Sequence, residues 1–298
     1  IVCENAVDEY IDFIKKSVSP DFKGMKIAVC CSDGKNTDTA ERLLKETGAE
    51  VFVMSEENPV EIHEEYKRTK VERLTDFVSG NGFDCGFLFG SGCERCLAID
   101  EKGGIADADS LSAIFAKFFK QSGLLKNDTF VVTSAVGMGF LRFAGENGIL
   151  AVTAGFNERS VVAKMIEGGY NIGADKRGRI IFLDEIPAGD GLFTAVKLLS
   201  VMKKTGVPLG TLAGEMKHFP QVMLNIKINP KFREVWKNDT VITGLIENCE
   251  QTLGDTGKIC VRENPDEPYI SVIAEGQDFT EINETAMKIA RLIKIRTA

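Results

Sequence analysis

Lys26-Ile-Ala-Val-Cys-Cys31, Thr37-Asp-Thr-Ala-Glu-Arg-Leu-Leu-Lys-Glu46 and Glu50-Val-Phe-Val-Met54 follow one another within thirty residues. The first segment is an unbroken apolar run, the pattern of a strand buried on both faces. The second carries its apolar residues at helical spacing and is ended by Gly48. The third is again a short apolar run. Strand, helix and strand at these lengths make a βαβ unit. Antiparallel neighbours need only a tight turn, whereas a helical crossover joins parallel ones, so the fold class is α/β with a parallel sheet.

The same reading extends in both directions. Upstream, Val7, Tyr10, Ile11, Ile14 and Val18 predict a helix within Glu4–Val18, followed by a turn at Pro20 and Gly24. Asp33-Gly34 marks the turn after the first strand. Some hundred residues on, the pattern recurs: Thr129-Phe-Val-Val-Thr133, a helix from Gly139 to Glu146, a stop at Gly148, and Ile149-Leu-Ala-Val152. Two copies predict two similar three-layer α/β domains. Gly189, Asp190 and Gly191 open a further helix with inner face Leu192, Ala195, Val196, Leu199 and Met202. Gly206 ends it and Pro208 follows. The last segment changes character. Val222, Leu224, Ile226 and Ile228 alternate with Met223, Asn225 and Lys227, as in a strand with one wet face. A helix through Val241, Ile242, Leu245, Ile246, Cys249 and Leu253, strands Lys258–Val261 and Tyr269–Ala274, and a helix with Ile282, Ala286, Ile289 and Ile293 complete it. Asp278 and Glu281 are placed to cap that final helix. The expected domains are 1–103 and 104–216, both α/β, and a smaller α+β domain, 217–298.

Length and charge restrict the rest. A chain of 298 residues, 44% hydrophobic and 27% charged, holds two or three folded domains and is not disordered. The net charge of −8 argues against a nucleic-acid partner or an acidic membrane surface. No apolar run reaches the roughly 18 residues of a membrane span. The start, from Ile1, has no basic region before an apolar stretch, so no signal peptide is expected; lacking an initial Met, it fits a fragment or a processed product. The eight cysteines are Cys3, Cys30, Cys31, Cys85, Cys93, Cys96, Cys249 and Cys260. They are expected to be reduced, mostly buried and cytoplasmic. Cys93-Glu-Arg-Cys96 is a lone pair, far in sequence from His63 and His218, which disfavours zinc.

Four segments, in order, resemble one family, the alpha-D-phosphohexomutases, and within it the phosphoglucosamine mutase branch. Phe89-Gly-Ser-Gly-Cys-Glu-Arg-Cys-Leu-Ala-Ile-Asp100 is similar to FDGDADRCLAVD. Gly173-Ala-Asp-Lys-Arg-Gly-Arg-Ile-Ile-Phe-Leu-Asp184, with Gly189-Asp-Gly-Leu-Phe-Thr-Ala-Val-Lys-Leu-Leu199, is similar to GGEQSGHIIFLD and GDGLLTALQLL. Pro220-Gln-Val-Met-Leu-Asn-Ile226 is similar to YPQVLVNV, and Val261-Arg-Glu-Asn-Pro-Asp-Glu-Pro268 to VRPSGTEP. The resemblance implies three α/β domains and a fourth α+β domain. This chain corresponds to the second, third and fourth.

That family moves a phosphoryl group between two positions of a sugar, using a serine of the first domain and a magnesium ion. The resemblance places the three metal aspartates at Gly90, Gly92 and Glu94, so one carboxylate remains, while Arg95 matches. Magnesium wants hard oxygen ligands, and Cys93 is a soft one. No magnesium, and no other cofactor, is expected. Gly90-Ser-Gly92 also lacks a following helix, so a tight hairpin turn is expected rather than a nucleotide loop. Asp107-Ala-Asp109 precedes a helix and reads as its cap. In the phosphate loop Arg262 matches, but the two hydroxyls become Asn264 and Asp266. One Arg against Glu263, Asp266 and Glu267 leaves −2 over 262–268, unsuited to a dianion. The sugar-recognition loop becomes Asp175, Lys176, Arg177 and Arg179, read first as a solvated turn and second as an altered anion site. Arg159 stands near the family's further basic residue.

The expectation is therefore a catalytically inactive relative that binds, regulates or assembles with a protein partner or a second copy of itself. Binding of a sugar phosphate is doubtful. The alternatives are a part of a genuine mutase interconverting glucosamine 6-phosphate and glucosamine 1-phosphate, or a non-catalytic sugar-phosphate sensor.

Overall fold

A computed structural model describes residues 5–18, 21–32, 36–54, 69–229, 235–263 and 269–297. Packing divides the chain into two compact units: Ile1–Val136 with Phe143–Met216, and Gly137–Arg142 with Lys217–Ala298.

The first unit opens with α1 (Ala6–Ser17), β1 (Lys26–Cys31), α2 (Thr37–Glu46), β2 (Glu50–Val53), α3 (Lys70–Asn81), β3 (Cys85–Phe89), β4 (Cys96–Asp100) and β5 (Ile105–Ala106). The sheet order is β2-β1-β3-β4-β5, with β1 parallel to β2 and β3, and β4 antiparallel to β3. Ala28 and Cys30 of β1 pack with Leu74 and Val78 of α3, while Ile27 and Val29, pointing the other way, are equally buried. Cover on both faces explains why this strand shows no polar alternation. Thr69 and Glu72 form a reciprocal capping box at the start of α3, and Gly82, left-handed, ends it.

The second half continues with α4 (Ala108–Gln121), β6 (Thr129–Thr133), α5 (Met138–Glu146, of which 138–142 count with the second unit), β7 (Leu150–Ala154), α6 (Glu158–Gly168), β8 (Ile172–Ala174), β9 (Ile180–Phe182), α7 (Gly191–Thr205) and α8 (Leu209–Ala213). Its sheet order is β7-β6-β8-β9, and the directions repeat those of β2-β1-β3-β4. The internal repeat is therefore real at the level of topology. Its core is aromatic. Phe182 of β9 lies 5.1, 5.9 and 5.4 Å from the rings of Phe115, Phe119 and Phe193. A ring fully buried, as those of Phe115, Phe182 and Phe193 are, is worth roughly 1.5–3 kcal/mol over its exposed state.

In the second unit, β10 (Gln221–Lys227), α9 (Val235–Asn238), α10 (Thr240–Leu253), β11 (Gly257–Glu263), β12 (Tyr269–Gly276) and α11 (Phe279–Arg296) follow. The strands form an antiparallel sheet in the order β10-β12-β11. Val222, Ile226, Ile270, Val272 and Ala274 join Ile242, Leu253, Ile282 and Ile289 in one core, while Met223 on the opposite face of β10 is half exposed. Asp278 caps α11 by accepting from the amides of Thr280 and Glu281. Among the described residues no helix is long and apolar enough to cross a membrane.

Candidate functional site

The stretch 90–95 is the turn between β3 and β4, and 175–179 is the turn between β8 and β9; both follow the last parallel strand of their sheets. In an α/β sheet such loops, at the carboxyl ends of strands beside a reversal of strand order, are where ligands bind. Both belong to the first unit, and they touch.

Main-chain bonds close the first turn. Gly90 N donates to Arg95 O (3.2 Å), and Cys93 N to Gly90 O (2.9 Å). It is a hairpin turn, as its sequence predicts. Neither Gly90 nor Gly92 has a left-handed backbone; the positive φ, +52°, falls on Cys93. Backbone bonds then tie this turn to the second half: Gly191 N donates to Cys93 O (2.7 Å), and Cys96 N to Gly178 O (3.3 Å). Gly178, at φ +92°, carries the left-handed residue that the second turn requires.

Side chains add a charged link. Arg179 reaches three carboxylates. Its Nη1 donates to Asp175 Oδ2 (3.1 Å) and its Nη2 to Glu94 Oε1 (3.4 Å), while its Nε lies 3.4 Å from Glu158 Oε2. Glu94 also has Arg95 Nε at 3.7 Å. Glu158 Oε1 accepts from the amide of Gly189 (2.5 Å). Asp175 is 4% exposed, and its Oδ1 accepts from the amides of Arg177 and Arg179. Its oxygens are thus spent on shaping its own turn. Lys176 Nζ donates to Asp109 Oδ2 (2.5 Å), and Asp107 caps α4 through the amide of Ser110. The solvated basic turn expected from the sequence is corrected here: of Lys176, Arg177 and Arg179, Arg177 alone is exposed, and the other two are paired. Sequence spacing shows which residues lie in one loop, not which carboxylates the fold brings across from 21 and 85 positions away.

Two further groups went unread in the sequence. Glu158 is the first residue of α6, begun by an Asn157 capping box, and the cap is the signal that would have placed it. Tyr10 Oη donates to both oxygens of Asp190 (2.9 and 2.8 Å), tying α1 to the start of α7, which Asp190 caps through Phe193 N. Burial raises the Asp190 carboxyl above its ordinary range, against the bonds from Phe193 and Tyr10 that lower it. Burial, and then the charge of Asp190, push the Tyr10 phenol far up. Burial likewise pushes the Cys85 and Cys96 thiols up. Arg159 is exposed on α6.

Arg262 lies on β11 opposite Ser271, in the second unit, while Asn264, Asp266 and Glu267 fall outside the described residues. Magnesium does not fit the donors of the 90–95 turn. Two positions offer no side-chain oxygen, Cys93 is soft, and the one carboxylate, Glu94, already faces two guanidinium groups. Among the described residues no three His, Cys, Asp or Glu side chains are grouped to hold a metal ion.

Comparison with known proteins gives a consistent picture. A model of the phosphoglucomutase/phosphomannomutase alpha/beta/alpha domain III matches residues 107–219. The phosphoglucosamine mutase of Clostridium novyi (strain NT) is 36% identical over 296 residues, 99% of this chain and 66% of that protein. That of Thermoanaerobacter sp. (strain X514) is 37% identical over 292 residues, 97% of this chain and 65% of that protein. The chain thus spans just under two thirds of the length of these relatives. Among solved structures, a phosphoglucomutase/phosphomannomutase family protein from Burkholderia thailandensis superimposes with a TM-score of 0.77 at 17% identity, covering 97% of this chain and 64% of that one. N-acetylphosphoglucosamine mutase of Aspergillus fumigatus, in complex with GlcNAc-6P and magnesium, gives 0.76 at 12% identity, covering 98% and 71%. At such identities the likeness is one of fold.

Proposed function

Since the chain belongs to the alpha-D-phosphohexomutase superfamily and is similar to its phosphoglucosamine mutases, we propose that it is a member which does not catalyse phosphoryl transfer and serves by binding. The observation that carries this reading is the 90–95 turn. Phosphoryl transfer depends on positioning and on neutralising charge as it develops, and a hard cation does much of the second. A turn with one carboxylate, itself held by Arg179, offers no seat for that cation. We take residues 1–103, 104–216 and 217–298 as the three family domains. The match over 107–219 and the three separate sheets support a threefold division, with β5 (Ile105–Ala106) still part of the first sheet. The role that remains is regulatory or structural, in the cytoplasm, with a protein partner or a second copy. Calorimetric titration with Mg²⁺ tests the reading, and no saturable heat is expected. A saturable isotherm on the unaltered protein overturns it.

The second reading is favoured by the level of identity, more than a third over almost the whole chain. In it the chain is part of a longer mutase that interconverts glucosamine 6-phosphate and glucosamine 1-phosphate. A coupled assay of the full-length gene product separates the two, since turnover above background rules out the inactive reading. A sensor acting through the basic turn has less support, because Lys176 and Arg179 are already paired.

A further inference from the structure

Arg179 meets carboxylates from three places: Glu94 in the β3–β4 turn, Glu158 at the start of α6, and Asp175 in its own β8–β9 turn. Each nitrogen of its guanidinium points to a different carboxylate. Such a group is always charged, planar and forked, so it can serve several acids at once in a fixed geometry. Three acids against Arg179 leave a surplus of negative charge even after Arg95 is counted. Acids so placed repel one another unless a cation lies between them.

We propose that Arg179 is an internal counter-ion that does structurally, in this chain, what a divalent ion does in a metal-bearing turn: it holds the β3–β4 turn closed onto the second sheet. This rests on the reading that the 90–95 turn takes no magnesium. It goes beyond that reading by naming what has replaced the ion and which loops it holds. The backbone bonds from Gly191 to Cys93 and from Cys96 to Gly178 run beside the same junction, so the charge acts on a turn already in register. A covalently attached cation has no off-rate, and the turn is held whatever the metal content of the solution.

The test is thermal unfolding of Arg179→Met and Arg179→Lys with and without millimolar Ca²⁺. Calcium is chosen because it tolerates irregular oxygen ligation. Arg179→Met is expected to lower Tm by roughly 5 °C or more, and Arg179→Lys to recover part of the loss. Ca²⁺ is expected to raise the Tm of Arg179→Met by several degrees while leaving the unaltered protein within about 1 °C. That contrast separates a charge role from a packing role, because filled volume alone does not create a response to cations. An Arg179→Met protein as stable as the unaltered one, or one indifferent to Ca²⁺, overturns the proposal while leaving the inactive reading intact. A Ca²⁺ or Mg²⁺ response in the unaltered protein overturns both. Should Arg179→Met fail to fold, adding Glu94→Gln and Glu158→Gln removes the charge imbalance and is expected to restore folding. Failure of that triple variant also overturns the proposal.

Discussion

The β3–β4 and β8–β9 turns occupy the same place in two copies of one topology, yet they carry different side chains. The first presents Glu94 and two glycines; the second presents Asp175 and Arg179. A repeat gives each copy the same address for a loop, at the carboxyl ends of its parallel strands. What is written there is free to diverge. In this chain the two loops have diverged toward each other: the acid of one meets the base of the other, and main-chain bonds run alongside. A position that binds ligands in other α/β proteins can thus become a seam between two halves of one unit.

Three variants probe that comparison. The largest effect is expected where the second hairpin is rooted in its core. Phe182→Ala removes a fully buried ring from among Phe115, Phe119 and Phe193 and is expected to cost about 3–5 kcal/mol in urea unfolding. A much smaller loss would mean that the β8–β9 turn does not depend on the aromatic core beneath it.

Next in size is a change that brings the first turn back toward the family pattern. A β-carbon at Gly90 would meet the flexible side chain of Arg95 (2.8 Å to Nε), and one at Gly92 the end of Glu94 (2.7 Å to Oε2). Both can move aside, and neither glycine is left-handed. Gly90→Asp with Gly92→Asp is therefore expected to fold at a cost of about 1–2 kcal/mol and to gain a saturable Mg²⁺ isotherm. A folded double variant that stays silent in calorimetry would show that the missing carboxylates are not what separates this turn from a metal-bearing one.

The smallest effect concerns Asp190. Its carboxyl is raised by burial, so the folded state holds a proton more readily than the unfolded state does. Stability from that proton is present below the ordinary value of 3.8 and is lost as pH rises through the higher folded value. Asp190→Asn keeps the helix cap and the bond to Tyr10 without a titratable group. It is expected to stay within about 1 kcal/mol of the unaltered protein and to flatten the slope of stability against pH just above that value. An unchanged slope would place the titration elsewhere.

Much of the fold was legible because its signals are local. The helix at Thr37–Glu46 and the strand at Lys26–Cys31 coincide with their sequence limits, and the second copy followed from the repeat. The α3 and α6 helices were missed. Their signals were present, Val71, Leu74, Phe77 and Val78 at helical spacing in α3 and the Asn157 cap before α6, but each lies beyond the two repeated strand-helix-strand units that organised the reading. The site was legible to the extent that chemistry resides in a single loop: the poverty of carboxylates at 90–95 can be read directly. The ties of Arg179 to Glu94 and Glu158, and of Tyr10 to Asp190, exist only once the chain is folded.

The buried sulfurs have a practical consequence. Of the seven described cysteines, six are buried and Cys260 is partly covered. They lie on both sides of the division between units: Cys30, Cys31, Cys85, Cys93 and Cys96 in one, Cys249 and Cys260 in the other. An alkylating reagent therefore has little to attack until a unit opens. Mass spectrometry of labelled peptides over time would clock the opening of each unit separately, in a single sample and without an engineered probe.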